Sequence, residues 1–172
     1  SQDGCTKIES FVLPESSSQR SEIMGRRRWL LVPPAIWISC LFLIHILGGL
    51  AAPESSKMPS QCPEGSRNCA QTMVVFDGSP EAVYSAAMDW IESQNRVTVI
   101  EESESTSHTV FRTKWMMFPD DFYIESGCTA NQTWIQIHSE SRLGIGDMGV
   151  NQNRIDALLD HLSAIEFEVS NC

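Results

Sequence analysis

The chain has 172 residues, within the range of a single domain, and sets 12 Lys plus Arg against 22 Asp plus Glu for a formal charge of -10. That anionic excess argues against nucleic-acid binding, while 42% hydrophobic and 20% charged residues make the chain too apolar to be wholly disordered. The charge is unevenly placed: 5 basic and 4 acidic side chains precede Trp29, against 7 and 18 from Pro53 onward.

Residues 1–28 read as a polar tail rich in serine, with no apolar periodicity long enough to bury a face. The tail ends in Arg26, Arg27 and Arg28, after which residues 29–52 run for 24 positions without an acid or a base apart from His45. As a helix this stretch would rise about 36 Å, enough to cross a hydrocarbon layer of about 30 Å. Pro33 and Pro34 lie near its start, where missing amide donors cost least, so the regular helix is expected to begin there. A retained transmembrane helix competes with a signal cleaved near Gly49 to Ala52, and the length favours the anchor. The arginines loosely match a twin-arginine export signal, and a first residue of Ser rather than Met reads as the trace of a removed presequence. With the basic cluster on the cis side, the remainder is placed across the membrane.

After a linker at 53–61, residues 62–172 read as a soluble α+β domain. A strand is predicted over 72–76. Ser79 and Pro80 then open a helix, with Ala82, Val83, Ala86, Ala87, Trp90 and Ile91 at helical spacing. Strands follow at 96–101, 108–118, 121–125 and 133–141, separated by polar turns at 102–107 and 126–132. A last helix at 151–165 aligns Ile155, Leu158, Leu159, Leu162 and Ile165. Short connections favour antiparallel pairing, so the fold class is α+β, an antiparallel sheet with helices packed on one face, preceded by one transmembrane helix.

Few of the polar residues form a chemical motif. Cys62 and Cys69 are close enough in sequence to close a small disulfide loop, favoured only in an oxidising space. Their spacing exceeds that of a zinc knuckle, and the sequence supplies no second pair of ligands. Cys128 and Cys172 either pair or stay reduced, and Cys40 is an apolar filler in the span. His45 inside the span offers an imidazole to haem or to a pigment such as chlorophyll, with carotenoid contacts at the helix, although a hydrogen bond to a partner helix or to a backbone carbonyl is the plainer reading. His108, His138 and His161 lack a carboxylate or cysteine at a diagnostic spacing. Asp120 and Asp121 suggest acid and base roles or a cation site, but consecutive extended residues point to opposite faces, so a turn with an Asp cap is the safer expectation. Asn131-Gln132-Thr133 matches a glycosylation acceptor. The glycines between Ser139 and Asn151 permit a tight link or an anion site at the helix start; Asp147 or Asn151 would cap the helix, and Arg142 and Arg154 would pair with Asp147 and Asp120 or leave a guanidinium open.

Three stretches in order, Cys62-Pro63 with Asn68-Cys69, Phe111-Arg112-Thr113 with Phe118-Pro119-Asp120-Asp121, and Ser139 to Asn151 with Arg154-Ile155-Asp156-Ala157-Leu158, resemble the domain of unknown function 1499 family. The matching motif positions are Arg112, Asp120, Asp121, Arg142, Gly144, Asp147, Gly149, Asn151 and Arg154. The resemblance implies a small domain of bacterial exported or membrane proteins and of plastid-bearing eukaryotes, without an established activity. The expectation is a non-catalytic single-span accessory subunit of a larger membrane complex, with the membrane and other membrane-protein subunits as its partners. Its placement is a photosystem or antenna in the thylakoid membrane of a chloroplast, with the acidic domain docking in the lumen. Two alternatives stay open. One is a module binding an apolar or anionic small ligand in a cavity lined by Phe111, Trp115, Met117, Phe122, Trp134 and Trp90; the other is a hydrolase built on Asp120, Asp121 or His138 with Arg142.

Overall fold

The computed structural model describes residues 17–129 and 132–168, with side chains from Trp29 onward. Eight elements follow one another: α1 (Ser17–Leu50), β1 (Cys69–Phe76), α2 (Pro80–Ser93), β2 (Val97–Glu102), β3 (Thr106–Arg112), β4 (Pro119–Thr129), β5 (Gln132–Ser141) and α3 (Val150–Ser163). The chain up to Ser39 and the chain from Cys40 form separate compact units, so the last turns of α1 belong with the sheet.

Within α1, Trp29–Leu50 is a 22-residue apolar segment of mean hydropathy 2.2, of span or signal length. Helical structure starts at Ser17, not at the prolines, and Pro33 and Pro34 lie inside it. Cys5, Cys172, Asn131 and most of the polar tail lie outside the described residues.

The five strands form one antiparallel sheet in the order β1-β5-β4-β3-β2, with α2 and α3 on one face. Alternation sorts the side chains. Phe111, Phe122, Ile124, Ile135 and Ile137 point to the helices and meet Val83, Ala87 and Ile91 of α2 and Ile155, Leu158 and Leu162 of α3. Burying each large side chain is worth about 1.5–3 kcal/mol, which makes this layer the main source of stability. α2 starts where expected: Ser79 Oγ accepts the Ala82 amide at 3.2 Å and Pro80 takes the first helical position. Ser79→Ala is expected to cost about 1 kcal/mol in thermal or denaturant unfolding, the usual loss for such a cap.

Strand boundaries differ from the sequence reading: β1 starts at Cys69 rather than at 72, β3 at Thr106 rather than at 108 and β4 at Pro119 rather than at 121, and two ends move further. β3 stops at Arg112 rather than running to Phe118, because Thr113 and Phe118 close a turn: the Thr113 amide donates to Phe118 O at 3.1 Å and the Phe118 amide donates to Thr113 Oγ1 at 3.0 Å. Met117 takes a left-handed φ of 57° inside that turn. β4 runs on to Thr129 instead of ending at Glu125, although Ser126 and Gly127 carry no apolar pattern. Gly127 faces Trp134 of β5, and a Cβ there would lie 2.5 Å from the indole, so the bare backbone gives the ring its seat.

Candidate functional site, two buried aspartates held by two arginines

Asp120 and Asp121 sit in β4, not in a capped turn, and both are buried. Consecutive strand positions send them to opposite faces, as the spacing demands, and a buried carboxylate must be paired. Each has an arginine.

On the helix side, Arg154 Nη2 lies 2.9 Å from Asp120 Oδ2, and Ser141 Oγ donates to Asp120 Oδ1 at 2.6 Å. Asn151, at the start of α3, ties the group together. Its amide nitrogen donates to Asn68 O at 2.9 Å and to Ser141 Oγ at 3.0 Å, while its oxygen accepts from Ser139 Oγ at 2.6 Å and from Arg154 Nη1 at 2.9 Å. The Arg154 guanidinium also lies 4.5 Å over the Phe111 ring.

On the other face, Arg142 forks onto Asp121, Nε to Oδ2 at 2.7 Å and Nη2 to Oδ1 at 2.6 Å. His108 Nε2 reaches Asp121 Oδ1 at 2.6 Å, its ring stacks on Tyr123 with centroids 4.3 Å apart, and its Nδ1 meets Ser56 Oγ of the linker at 3.1 Å. Burial alone pushes the Asp121 carboxyl up, but the hydrogen bonds and charges of Arg142 and His108 outweigh it and hold the group below the ordinary carboxylate range. The hydrogen bond and charge of Asp121 in turn push the Arg142 guanidinium up, against its own burial. Burial pushes the Tyr123 phenol up as well, and the nearby Asp121 charge adds to it. Hydroxyl, imidazole and carboxylate stand in the order of a hydrolytic relay. The imidazole is only 3% exposed, Asp121 already accepts two guanidinium hydrogen bonds, and the contact with Ser56 ties the linker to this group.

The third nitrogen of Arg142 extends the network to α1. Nη1 donates to Gly48 O at 3.1 Å, and a Cβ on Gly48 would lie 2.5 Å from the Pro119 ring, so the helix backbone rests directly on the start of β4. Ile44 and Gly48, four residues apart on one helix face, are the buried positions here, while His45 is exposed.

The link from β5 to α3 wraps tightly and holds its own anion. Gly144 and Gly149 take φ of 104° and 81°, left-handed conformations that favour glycine. Asp147 accepts the Gly149 amide at 2.9 Å and the Asn151 amide at 2.6 Å, so its carboxylate occupies the helix start where an external anion would bind. One expected pairing is corrected: Arg142 takes Asp121 rather than Asp147, whereas Arg154 takes Asp120 and Asp147 serves the helix start, as expected. Arg112 stays apart, its Nη1 donating to Thr98 Oγ1 at 3.2 Å. Sequence reasoning missed Ser56, Ser139, Ser141 and the His108 pairing, because strand register and the path of the linker set them.

The residues expected to line an apolar cavity are scattered. Phe111 and Phe122 pack edge to face in the core, Trp115 is 72% exposed, and Trp134 lies on the face opposite the helices. At the centre of the layer between sheet and helices, Phe122, Ile124, Ile135, Ile137, Ile155 and Leu158 are packed at 0–1% exposure.

Cys62 and Cys69 are joined by a disulfide, Cys40 is a free thiol, and Cys128 is also disulfide-bonded. Its expected partner, Cys172, lies outside the described residues.

A family model described as "Protein of unknown function (DUF1499)" matches residues 52–162. The chain belongs to that family. The DUF1499 domain therefore begins at the foot of α1 and takes in the sheet, both aspartates and nearly all of α3. No curated protein matches the chain. Among solved structures it is similar to CalU16 from Micromonospora echinospora (TM-score 0.45, 10% identity, covering 56% of this chain and 74% of that one). It is also similar to the Aha1 dimer from Colwellia psychrerythraea (TM-score 0.43, 15% identity, covering 57% and 96%). Likenesses this distant transfer no activity to the DUF1499 chain.

Proposed function

We propose that this DUF1499 chain is a non-catalytic, single-span accessory subunit that holds its acidic domain against one side of a membrane as part of a larger membrane complex. The observation that carries the reading is the join between helix and domain. The carbonyls of the last helical turn form the negative end of the helix dipole, where a guanidinium is favoured. Arg142 meets that end at Gly48 O while gripping Asp121. His108, on the same carboxylate, holds the linker through Ser56. A flexible tether would let the domain roam; this join seats it on the helix end.

Two further features support a docking role. The side chains of residues 29–50 are largely exposed, an apolar surface that lipid or neighbouring helices would cover. The turn before Pro119 and the link after Arg142 expose Trp115, Ile145 and Met148, apolar side chains that a partner would cover. The aspartates that might have served a reaction are committed to ion pairs. A photosynthetic complex in the thylakoid, with the domain in the lumen and pigment at His45, is the placement we propose within this reading. It rests on the host range implied by the family and on the charge asymmetry around the span.

Alkaline carbonate washing of native membranes should leave the full chain in the pellet, and detergent extracts should carry it in a high-mass complex on a sizing column. Release by carbonate would overturn the span, and migration alone would overturn the accessory role. A complex without pigment would remove the photosynthetic placement.

A further inference from the structure

A second group of polar donors lies away from the aspartates, where β1, β5 and the segment before β1 meet. The sulfurs of Cys62 and Cys69 and Nε2 of His138 all lie within 4.8 Å of one another. Cys69 Sγ is 3.5 Å from His138 Nε2, and Glu140 Oε2 is 3.4 Å from the same nitrogen. Register produces the cluster: Cys69 stands opposite Glu140 and Gln71 opposite His138, so Cys69, His138 and Glu140 share the face away from the helices. The disulfide loop then brings Cys62 over them.

The histidine is held for this position. Its ring is 1% exposed and packs edge to face on Tyr123 at 5.9 Å. Among the described residues Nδ1 has no hydrogen-bond partner, so the sulfur and the carboxylate at Nε2 are its polar contacts.

We propose that the reduced form of this cluster is a site for one zinc-class divalent cation, bound by the thiolates of Cys62 and Cys69, by Nε2 of His138 and by the carboxylate of Glu140. In the oxidised chain the sulfur–sulfur bond occupies both thiols. A dithiol reductant breaks that bond by supplying two electrons and two protons, and itself becomes a disulfide. The two thiols then release two protons to solvent as the cation binds. Two sulfurs, one nitrogen and one oxygen form the borderline-soft set that suits tetrahedral zinc. The sequence spacing of the cysteines hid the site, because His138 and Glu140 come from β5, which lies next to β1 in the sheet although His138 is 69 residues from Cys69 along the chain. Cys62 and Cys69 are half-buried, so a reductant can reach them. The metal site exists only under reducing conditions, and oxidation expels the cation.

Cobalt titration of the full chain in detergent tests this, after reduction with a phosphine that leaves no competing thiol. The reduced protein should bind one equivalent, with a thiolate-to-cobalt charge-transfer band and the visible bands of a tetrahedral site, and the oxidised protein should show neither. His138→Ala should weaken binding by more than the roughly 10–100-fold that losing an outer-shell partner costs. Glu140→Gln should weaken it less while keeping the charge-transfer band. Circular dichroism of the metal-free variants checks that the sheet is intact, and His138→Gln is read in its place should His138→Ala fail to fold. No charge-transfer band in the reduced protein, or binding unchanged in the folded His138 variant, would overturn the site. The result is independent of the membrane reading, since carbonate extraction reports on α1 and cobalt on β1 and β5.

Discussion

Asp121→Ala is expected to lower the stability of the full chain by about 3–5 kcal/mol in denaturant unfolding, the cost of leaving a buried charge without its partner. The substitution strands the Arg142 guanidinium and His108 Nε2, each 2.6 Å from the same carboxylate oxygen, and loosens Ser56 and Gly48 behind them. Asp121→Asn keeps the shape and should lose less. The pH dependence has a defined sign. Asp121 is held below its ordinary value in the folded chain, so the unfolded chain takes up the proton first as the solution is acidified. Its contribution is complete above about pH 4, the ordinary range for Asp, and is lost as the pH falls through the folded value. Asp121→Asn should flatten that acid limb. An equally steep limb in the variant would show that another group controls it. His138 contributes at a higher pH: its lowered folded value means stability present above about pH 6.5 and lost on acidification below it.

Phe122→Ala is expected to cost about 3–5 kcal/mol, because it empties the middle of the layer between sheet and helices. Phe122 is fully buried and meets Phe111 edge to face at 5.2 Å, with Ile91 and Leu158 among the large side chains of the same cluster. The wild-type chain should not take up a small apolar probe into this layer, whereas the variant, if it keeps its fold, gains a void that can. A small loss in Phe122→Ala, or saturable uptake by the wild type, would mean that the layer is looser than its packing indicates and would favour the ligand-binding alternative.

The sequence expressed the helices well. Ser79-Pro80 carries a start signal readable without any partner, and Ile155, Leu158 and Leu162 repeat at the helical period because one stripe of α3 must leave water. Strand ends were harder. β3 stops at a turn set by one threonine and β4 continues through Gly127 because a tryptophan on the next strand needs room, neither of which follows from local propensity. Consecutive strand positions send Asp120 and Asp121 to opposite faces, and the sequence pairs Asp120 with Arg154, but it does not assign Arg142 to Asp121. Arg142 and Arg154 flank the same loop, and only the path of β5 into α3 decides that Arg142 reaches Asp121.

The amino-acid order alone determined the apolar helix, the acidic domain behind it, the mixed architecture and the family, since these depend on composition and on short-range period. The tertiary structure decided everything that depends on register between distant segments. It placed Cys69 across from Glu140, brought His108 onto Asp121, and joined Arg142 to Gly48. Hydrogen bonds and ion pairs act over about 3 Å, so residues tens of positions apart become partners only after the hydrophobic layer has set which strand lies beside which.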